Sequence, residues 1–175
     1  MTVASVVCLV GSTAGATVLI TVEEALELAF PGAITERQTL FLSDDQRDKA
    51  KKESGSEISS ALATRYVAKG VDGAVLGWAY LDTHRVRTLP ETLMVVIGAD
   101  GAVRRVEVVT FREPLEYMPR GAWYAQYKGQ ELDDDLVLKR DIRPVTGATL
   151  TTRATTEAVR RVLAIHAVAA QEEMP

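Results

Sequence analysis

The chain has 175 residues, of which 47% are hydrophobic and 25% are charged, a composition typical of a single globular domain with a sizeable core. Its net charge of −4 gives no general electrostatic reason to bind nucleic acid or an anionic membrane, so we expect no nucleic-acid partner. Cys8 is the only cysteine, which excludes an internal disulfide and a thiolate metal cluster within one chain. The P-loop, Gly-x-Gly-x-x-Gly and His-Glu-x-x-His motifs are absent, and we predict neither a metal site nor a paired nucleophile and base.

The amino-terminal residues 2–16 are uncharged and apolar to small, and they end in Ala14-Gly15-Ala16. Signal peptidase accepts this small-x-small form, so we predict that residues 1–16 are the remnant of an export signal and that the domain occupies residues 17–175. No lysine or arginine precedes the apolar run, which leaves a buried strand as the alternative. A membrane anchor is disfavoured, because a span needs about 20 strongly apolar residues.

Two capping boxes predict helices in the first third of the chain. Thr21 to Glu24 opens a short helix that Pro31-Gly32 stops, and Ser43 to Gln46 opens a highly charged helix that ends near Gly55. Between them, Ile34 to Leu42 alternates well enough for a strand.

The middle of the chain reads as strands. The pattern becomes strand-like from Ile58, and a turn at Gly70 to Gly73 precedes a second strand at Val75 to Leu81. Glu91 to Ile97 and Ala102 to Phe111 form a hairpin pair, and their connection is too short for a crossover. These strands predict an antiparallel sheet that forms the core of the domain.

A helix is predicted from Arg153 to Ala169, with Glu157 and Arg161 as an exposed i,i+4 ion pair. His166 continues the apolar face of this helix, where a lone histidine is a satisfied core or edge residue more often than a ligand. The predicted fold class is therefore α+β, an antiparallel sheet packed with amino-terminal and carboxy-terminal helices in a single domain.

Aromatic side chains are concentrated in the loop-like stretch from Glu113 to Gly129, which holds Tyr117, Trp123 and Tyr127. Such a cluster is either a satellite core or a wall for a planar ligand, and the sequence favours neither. His84 lies in the stretch Asp82 to Arg87, which we interpret as a polar connection between strands, and it is a functional candidate.

The stretch Val145 to Thr152 combines four threonines with one Gly-Ala pair just before the last helix. Composition alone predicts a turn that caps a helix. A helix start also presents free N–H groups and the positive end of the helix dipole, and Gly147 allows backbone amides to approach an anion closely. The same stretch is therefore a candidate phosphate site.

The segment Thr146-Gly147-Ala148-Thr149-Leu150-Thr151 followed by a helix resembles the Ser/Thr-Gly-Ala-Thr segment of the FMN-binding domain family. That family includes the flavin-carrying subunits of the Rnf and sodium-pumping NADH:quinone oxidoreductase complexes. The Asp82 to Arg87 stretch further resembles a subgroup of exported, stand-alone FMN-binding proteins. The resemblance implies that FMN is linked through its phosphate to Thr149. It implies a cofactor site formed by Thr146, Gly147, Ala148, Thr149, Leu150, Thr151, Glu113, Pro114, Tyr117, Trp123 and His84.

By the same resemblance, a flavin transferase that uses FAD and magnesium attaches the FMN, because a threonine without a neighbouring base is a poor nucleophile. The implied function is an electron carrier rather than an enzyme with its own substrate. The implied redox partners are cytochromes or a membrane oxidoreductase complex, and the implied location is extracytoplasmic: periplasmic, with association to the membrane as one option.

One position departs from the family pattern. The attachment signal usually has an acidic residue six positions before the modified threonine, where this chain has Arg143, while Asp141 lies two residues further upstream. This departure favours an alternative function, a non-redox adaptor or ligand-binding domain of the same fold that has lost covalent attachment. Arg143 is itself able to pair with a phosphate.

Overall fold

A computed structural model describes residues 17–173 of the chain as one antiparallel sheet with helices on both faces. In chain order the elements are β1 (Thr17–Val18), α1 (Val22–Ala29), β2 (Ile34–Phe41), α2 (Asp44–Ser54), β3 (Leu62–Lys69), β4 (Val75–Arg85), β5 (Pro90–Gly98), β6 (Val103–Phe111), α3 (Gly121–Tyr124) and α4 (Thr149–Glu173). Short 3-10 turns at Leu115–Tyr117 and Ala125–Tyr127 flank α3.

The six strands follow the order β1-β6-β5-β4-β3-β2, and every neighbouring pair is antiparallel. Strands β2 to β6 are neighbours in the same order as in the chain, because a hairpin or, between β2 and β3, a connection through α2 joins each pair. The first strand, β1, lies on the outer side of β6. This arrangement confirms the predicted α+β class and the predicted β5–β6 hairpin.

Both predicted capping boxes are present. The Glu24 amide donates to the Thr21 hydroxyl at 3.1 Å, and the Glu24 carboxylate accepts the Thr21 amide at 2.9 Å. Ser43 and Gln46 make the same reciprocal pair at the start of α2. Gly55 ends α2 with a φ of 69°, a left-handed conformation that glycine adopts without strain.

The centre of the sheet is buried on both faces. On one face, α4 and α2 cover the main core, in which Leu93, Val95 and Ile97 pack with Val159 and Leu163. On the other face, α1 covers a second core, in which β5 contributes Met94 and Val96. Burying each large aliphatic side chain contributes about 1.5–3 kcal/mol. The continuous apolar run of β5 is therefore explained by its central position between the two cores.

Two predicted boundaries were wrong. β4 extends to Arg85 instead of ending at Leu81, so His84 lies within a strand, opposite Glu91 of β5, and not in a polar connection. The apolar alternation stops before the hydrogen-bonded ladder does, because the polar residues Asp82 and His84 pair with other polar groups. The pattern of hydrophobic residues alone does not report this continuation.

Helix α4 also differs from its prediction, since it begins at Thr149 and not at Arg153. Thr151 and Thr152 are nearly fully buried within its first turn, where their hydroxyls donate to the carbonyls of Tyr117 and Thr149. These bonds satisfy threonine side chains that otherwise disfavour a helix interior.

Within residues 17–173, no helix combines the length and the apolar composition needed to cross a membrane. The predicted export signal at residues 1–16 lies outside the described residues.

Candidate functional site

The Thr-rich motif forms a turn at Thr146 and Gly147 that leads directly into α4. Gly147 has a φ of +87°, and no heavy atom lies within 4 Å of the position a Cβ would take there, so glycine is favoured by backbone conformation and not by lack of space. The Ala148 amide donates to the Val145 carbonyl at 3.1 Å, which closes the turn. The Ala148 carbonyl then accepts the Thr152 amide at 2.9 Å, the first bond of the helix.

The start of α4 has the chemistry of an anion site. The first amides of a helix lack an intrahelical acceptor, and Ala148 at the cap has no side-chain oxygen to accept from them. The dipole of this 25-residue helix adds positive potential at the same end. Thr149 is exposed, and among the described residues its hydroxyl makes only a long bond of 3.4 Å to the Val145 carbonyl. Its oxygen is therefore accessible for modification.

A small cleft of about 180 Å³ lies against this turn, lined by Gly147 to Thr151 together with Arg87 and Tyr117. The Arg87 guanidinium lies 4.7 Å from the centroid of the Tyr117 ring, a cation–π geometry. This volume is below the roughly 300 Å³ of common ligand pockets and suits a phosphate better than a tricyclic ring.

The aromatic segment fixes the position of this cleft. The Thr151 hydroxyl donates to the Tyr117 carbonyl at 2.6 Å, so α4 and the turn at Leu115–Tyr117 are bonded to each other. Thr151 was predicted as a cofactor residue, and the structure uses its hydroxyl for this bond. Pro114 is exposed and immediately precedes the turn that carries Tyr117.

Glu113 does not line the cleft, but it holds the loop that brings Arg87 there. Its buried carboxylate oxygen Oε1 accepts the amides of Thr88 at 2.7 Å, Leu89 at 2.8 Å and Arg87 at 3.2 Å. Burial by itself raises the pKa of Glu113, but the backbone donors outweigh it and hold that pKa below its usual value. Glu113 is thus an ionised positioning residue.

A larger cavity of about 750 Å³ lies on the other side of Thr149. Its lining comes from the end of α2, residues 137–139, the stretch 144–146 and the first three turns of α4, including the exposed Arg153 and the buried Thr156. The volume is within the roughly 300–1,000 Å³ of sites that bind drug-sized ligands. Thr149 lines both this cavity and the small cleft, so one residue lies at the boundary between a small site and a large one.

Trp123 is buried and lines neither of these two cavities. Its indole N–H donates to the Arg143 carbonyl at 2.6 Å, and its ring packs edge-on against Tyr124 and Tyr127. The aromatic segment therefore contains both predicted kinds of residue. Trp123, Tyr124 and Tyr127 belong to the core, whereas Tyr117 lines the small cleft, where a ligand can contact it. Trp123 supports the backbone that leads to the motif.

His84 belongs to a separate polar cluster. Its two ring nitrogens lie 2.9 Å from Asp82 and 3.1 Å from Glu91, and Asp82 also accepts two bonds of 2.8 Å from Arg161. This pairing corrects the predicted Glu157–Arg161 ion pair, because Arg161 turns inward to the sheet. The cluster lines a cavity of about 530 Å³ that shares no residue with the two cavities at Thr149. The structure therefore does not bring His84 to the motif.

Buried partners control the charges of this cluster. Burial by itself lowers the pKa of His84, but hydrogen bonds to Asp82 and Glu91 raise it to about 9. Burial opposes ionisation of Asp82, yet the bonds from His84 and Arg161 hold the pKa of Asp82 below its usual value. At neutral pH, His84 is therefore protonated and Asp82 is ionised, so Asp82 pairs with two cations, His84 and Arg161.

His166 is buried with Nδ1 3.0 Å from the Tyr80 hydroxyl, which confirms it as a satisfied core residue. Within the described part of the chain, no cluster of three or more histidine, cysteine, aspartate or glutamate side chains is arranged to hold a metal ion.

Sequence reasoning missed Arg87 as a site residue, although it ends the Asp82 to Arg87 stretch that drew attention to His84. Its placement depends on the Glu113 carboxylate, which is distant in sequence.

Residues 89–164 match the family model described as the FMN-binding domain. The matched range covers β5, β6, the aromatic segment, the Thr-rich motif and most of α4. No curated protein and no solved structure matches the chain.

Proposed function

We propose, from the premise that residues 89–164 belong to the FMN-binding domain family and that FMN is the cofactor, that this protein is an electron carrier with FMN esterified to Thr149. The observation that carries the proposal is the exposed Thr149 hydroxyl at the start of α4, between a phosphate-sized cleft and a flavin-sized cavity.

The residues present at Thr149 fit a phosphate group. The free amides at the start of α4 offer donors, the helix dipole offers positive potential, and Arg87 offers a guanidinium held over Tyr117. A phosphate at this point neutralises the one unpaired cation in the cleft, since Arg87 makes no ion pair within residues 17–173.

The larger cavity fits the isoalloxazine ring. Val137, Leu138, Pro144 and Val145 provide apolar surface for a planar ring, and Arg153 and Lys139 provide donors at the rim. Arg160 lines this cavity and joins two neighbouring segments to α4. Its guanidinium donates to the Ser54 carbonyl at 2.8 Å and to the Leu136 carbonyl at 3.3 Å. We therefore place the ring here and not over Tyr117.

Attachment requires a separate flavin transferase. The hydroxyl of Thr149 has the Val145 carbonyl as its hydrogen-bond partner among the described residues, and a carbonyl is not a general base. The exposed Thr149 hydroxyl at the start of α4 is accessible to a second enzyme.

Bound FMN supplies one- or two-electron transfer, and the chain supplies binding, orientation and exposure. No nucleophile and base are paired at Thr149, which favours a carrier over an enzyme with its own substrate. We propose that the protein works outside the cytoplasm with cytochromes or a membrane oxidoreductase complex as redox partners. The composition of residues 1–16 supports export.

In-gel flavin fluorescence tests the attachment directly. The full chain is produced together with a flavin transferase, and we expect fluorescence in the wild type and none in Thr149→Ala. Thr149→Ser retains a hydroxyl and is the matched control, with fluorescence retained. A dark wild-type band, or a fluorescent Thr149→Ala band, overturns the ester at Thr149.

A second candidate function rests on Arg143, which occupies the position that the family's attachment signal usually fills with an acidic residue. The Arg143 side chain is exposed and lines neither cavity at Thr149. A domain that has lost this signal is a non-redox adaptor or ligand-binding module. Purified protein that is colourless and shows no thermal shift with FMN favours this candidate over the electron carrier.

A further inference from the structure

The outer edge of β6 is only partly covered. β1 pairs with Phe111 and Thr110 alone, and the Leu19 amide adds one bond to the Val109 carbonyl. At the other end of β6, the amide and carbonyl of Val103 bond to residues 129–130. Between these points, residues 104–108 have no backbone partner on their outer side within residues 17–173. An edge of this kind is able to pair with another extended chain.

This free edge lies in a groove rather than on an open surface. A cavity of about 590 Å³ borders β6 between Leu19 and Ile20 on one side and Met118, Pro119 and Ala125 on the other. A second cavity of about 450 Å³ continues past the β5–β6 hairpin toward Leu28 and Ala29. The two cavities share Arg104, Arg105 and Lys128 in their linings, so they are neighbours along β6.

The groove has basic side chains at its centre. Arg104, Arg105 and Lys128 line both cavities and are exposed. Arg105 pairs with Glu107, whereas Arg104 and Lys128 make no ion pair within the described part of the chain. Asp100 also lines the second cavity, so the three cations of the groove exceed its two carboxylates, Asp100 and Glu107, by one charge. The whole chain carries a net charge of −4, so this positive patch is local. It favours an acidic occupant.

We propose that the outer edge of β6 binds an extended, acidic segment of a partner protein, which adds as a strand beside residues 104–108. Backbone bonds to the edge supply affinity, and alternate side chains of the segment reach the apolar walls and the basic centre. A nucleic acid does not offer the strand backbone that the edge requires. A second copy of this chain is obstructed, because its own β6 edge lies between the same two walls.

The position of the groove adds a consequence for the cofactor site. Met118 lines the groove, and the adjacent Tyr117 lines the small cleft and accepts the Thr151 hydroxyl. A segment bound in the groove therefore contacts the same short stretch that borders the start of α4. The docking itself requires no bound flavin.

Selection from a phage library of random nonapeptides on the full-length protein tests this proposal. We expect enriched peptides with aspartate or glutamate at alternate positions. Fluorescence polarisation then measures the affinity of a selected peptide, and Arg104→Glu with Lys128→Glu is expected to weaken it at least about tenfold. The matched control is Arg37→Glu on the opposite edge strand β2, where Arg37 is exposed, and we expect no change there.

Two further measurements separate strand addition from simple charge attraction. A selected peptide with alternate amides N-methylated keeps its side chains but loses strand hydrogen bonds, and we expect it not to bind. Amide hydrogen exchange of the complex is expected to slow at residues 104–108. Arg104→Lys keeps the charge, so retained binding in this variant shows that substitution at this position leaves the groove folded.

The proposal is overturned by any of four results. One is that the selected peptides bind the Arg104→Glu, Lys128→Glu variant as tightly as the wild type, while the thermal midpoint of the variant is unchanged. The N-methylated peptide binds as well as the parent. Protection from exchange appears outside β6, or sedimentation shows a dimer of the chain that buries this edge.

Discussion

The start of α4 and the Asp82–His84–Arg161 cluster are two polar regions of one sheet-and-helix domain, and they are built in opposite ways. At α4, the turn is exposed, the cap residue is an alanine, and the Arg87 guanidinium lies over an aromatic ring without an ion pair within residues 17–173. In the cluster, the side chains are nearly buried, and His84, Asp82 and Arg161 bond to one another or to Glu91. Free donors are available to a ligand, whereas donors already paired contribute to stability.

This contrast predicts that substitutions in the cluster change stability, and that substitutions at α4 change flavin binding. The largest expected effect is on Asp82. Asp82→Ala leaves the Arg161 guanidinium and the protonated His84 without their shared partner, and we expect a loss of about 3–5 kcal/mol in the free energy of unfolding. Urea denaturation measures this loss.

The control for Asp82 is Glu157→Ala, an exposed carboxylate on α4 near Arg161 in sequence. It is expected to change the free energy of unfolding by less than about 0.5 kcal/mol. An Asp82→Ala protein that is as stable as this control contradicts the assignment of the cluster as a stability element.

The pH dependence of stability provides the second prediction. The pKa of His84 is about 9 in the folded protein against 6.5 for an unperturbed histidine, so its contribution is complete below pH 6.5 and is lost as pH rises toward 9. We expect a loss on the order of 3 kcal/mol across this interval. Denaturation at a series of pH values measures it, and His84→Gln is expected to remove most of the slope. An unchanged slope in that variant argues against His84 as its source.

The lowered pKa of Asp82 makes its contribution to stability depend on pH in the opposite direction. Its contribution is present above the unfolded pKa and is lost as pH falls through the folded value. Stability therefore falls on both sides of a plateau, and the alkaline side reports His84 while the acid side includes Asp82.

The third prediction concerns Glu113, which shares a property with each region. It is buried, as the cluster is, and it positions the loop that brings Arg87 to the cleft at α4. Glu113→Ala removes the acceptor of three backbone amides, and we expect a loss of about 2 kcal/mol in stability. Because Arg87 is then free to move from Tyr117, we also expect weaker binding of free FMN. Denaturation and flavin fluorescence quenching measure the two effects.

Glu116→Ala is the matched control for Glu113, since this carboxylate is exposed on the same short segment. It is expected to change neither quantity. If Glu113→Ala reduces stability but leaves FMN affinity untouched, Glu113 does not position Arg87 for the phosphate.

The smallest expected effect is on Arg87 itself. Arg87→Ala removes one charge-assisted contact to the phosphate, and we expect the Kd for free FMN to rise roughly threefold to tenfold with little change in stability. The effect is expected to shrink at high salt. Arg85→Ala removes a similar exposed charge from the neighbouring end of β4 and is expected to leave the Kd unchanged. Equal effects of the two substitutions indicate general electrostatics and not a specific contact.

Local signals predicted the fold well where short-range chemistry decides it. The reciprocal hydrogen bonds of Thr21 with Glu24 and of Ser43 with Gln46 depend on residues three positions apart, and both are present. The β5–β6 hairpin follows from apolar strands around a glycine turn. The packing of α4 on the sheet follows from its apolar stripe, which the sequence also shows.

Long-range pairing explains what the sequence did not predict. His84 was placed in a loop because its neighbours are polar, yet Glu91 and the Asp82–Arg161 pair keep it in a strand. Arg161 was assigned to a partner four residues away and instead bonds to a residue 79 positions earlier. Arg87 reaches the cleft only because Glu113 binds its loop. No periodicity in a single sequence encodes such contacts.

The intact mass of the protein, recovered from cells that contain a flavin transferase, tests the central claim most directly. For the wild type we predict a mass above that of the unmodified polypeptide by one FMN less one water, and for Thr149→Ala the mass of the polypeptide alone. A wild-type mass without this addition, or the same addition on Thr149→Ala, contradicts Thr149 as the flavin attachment site.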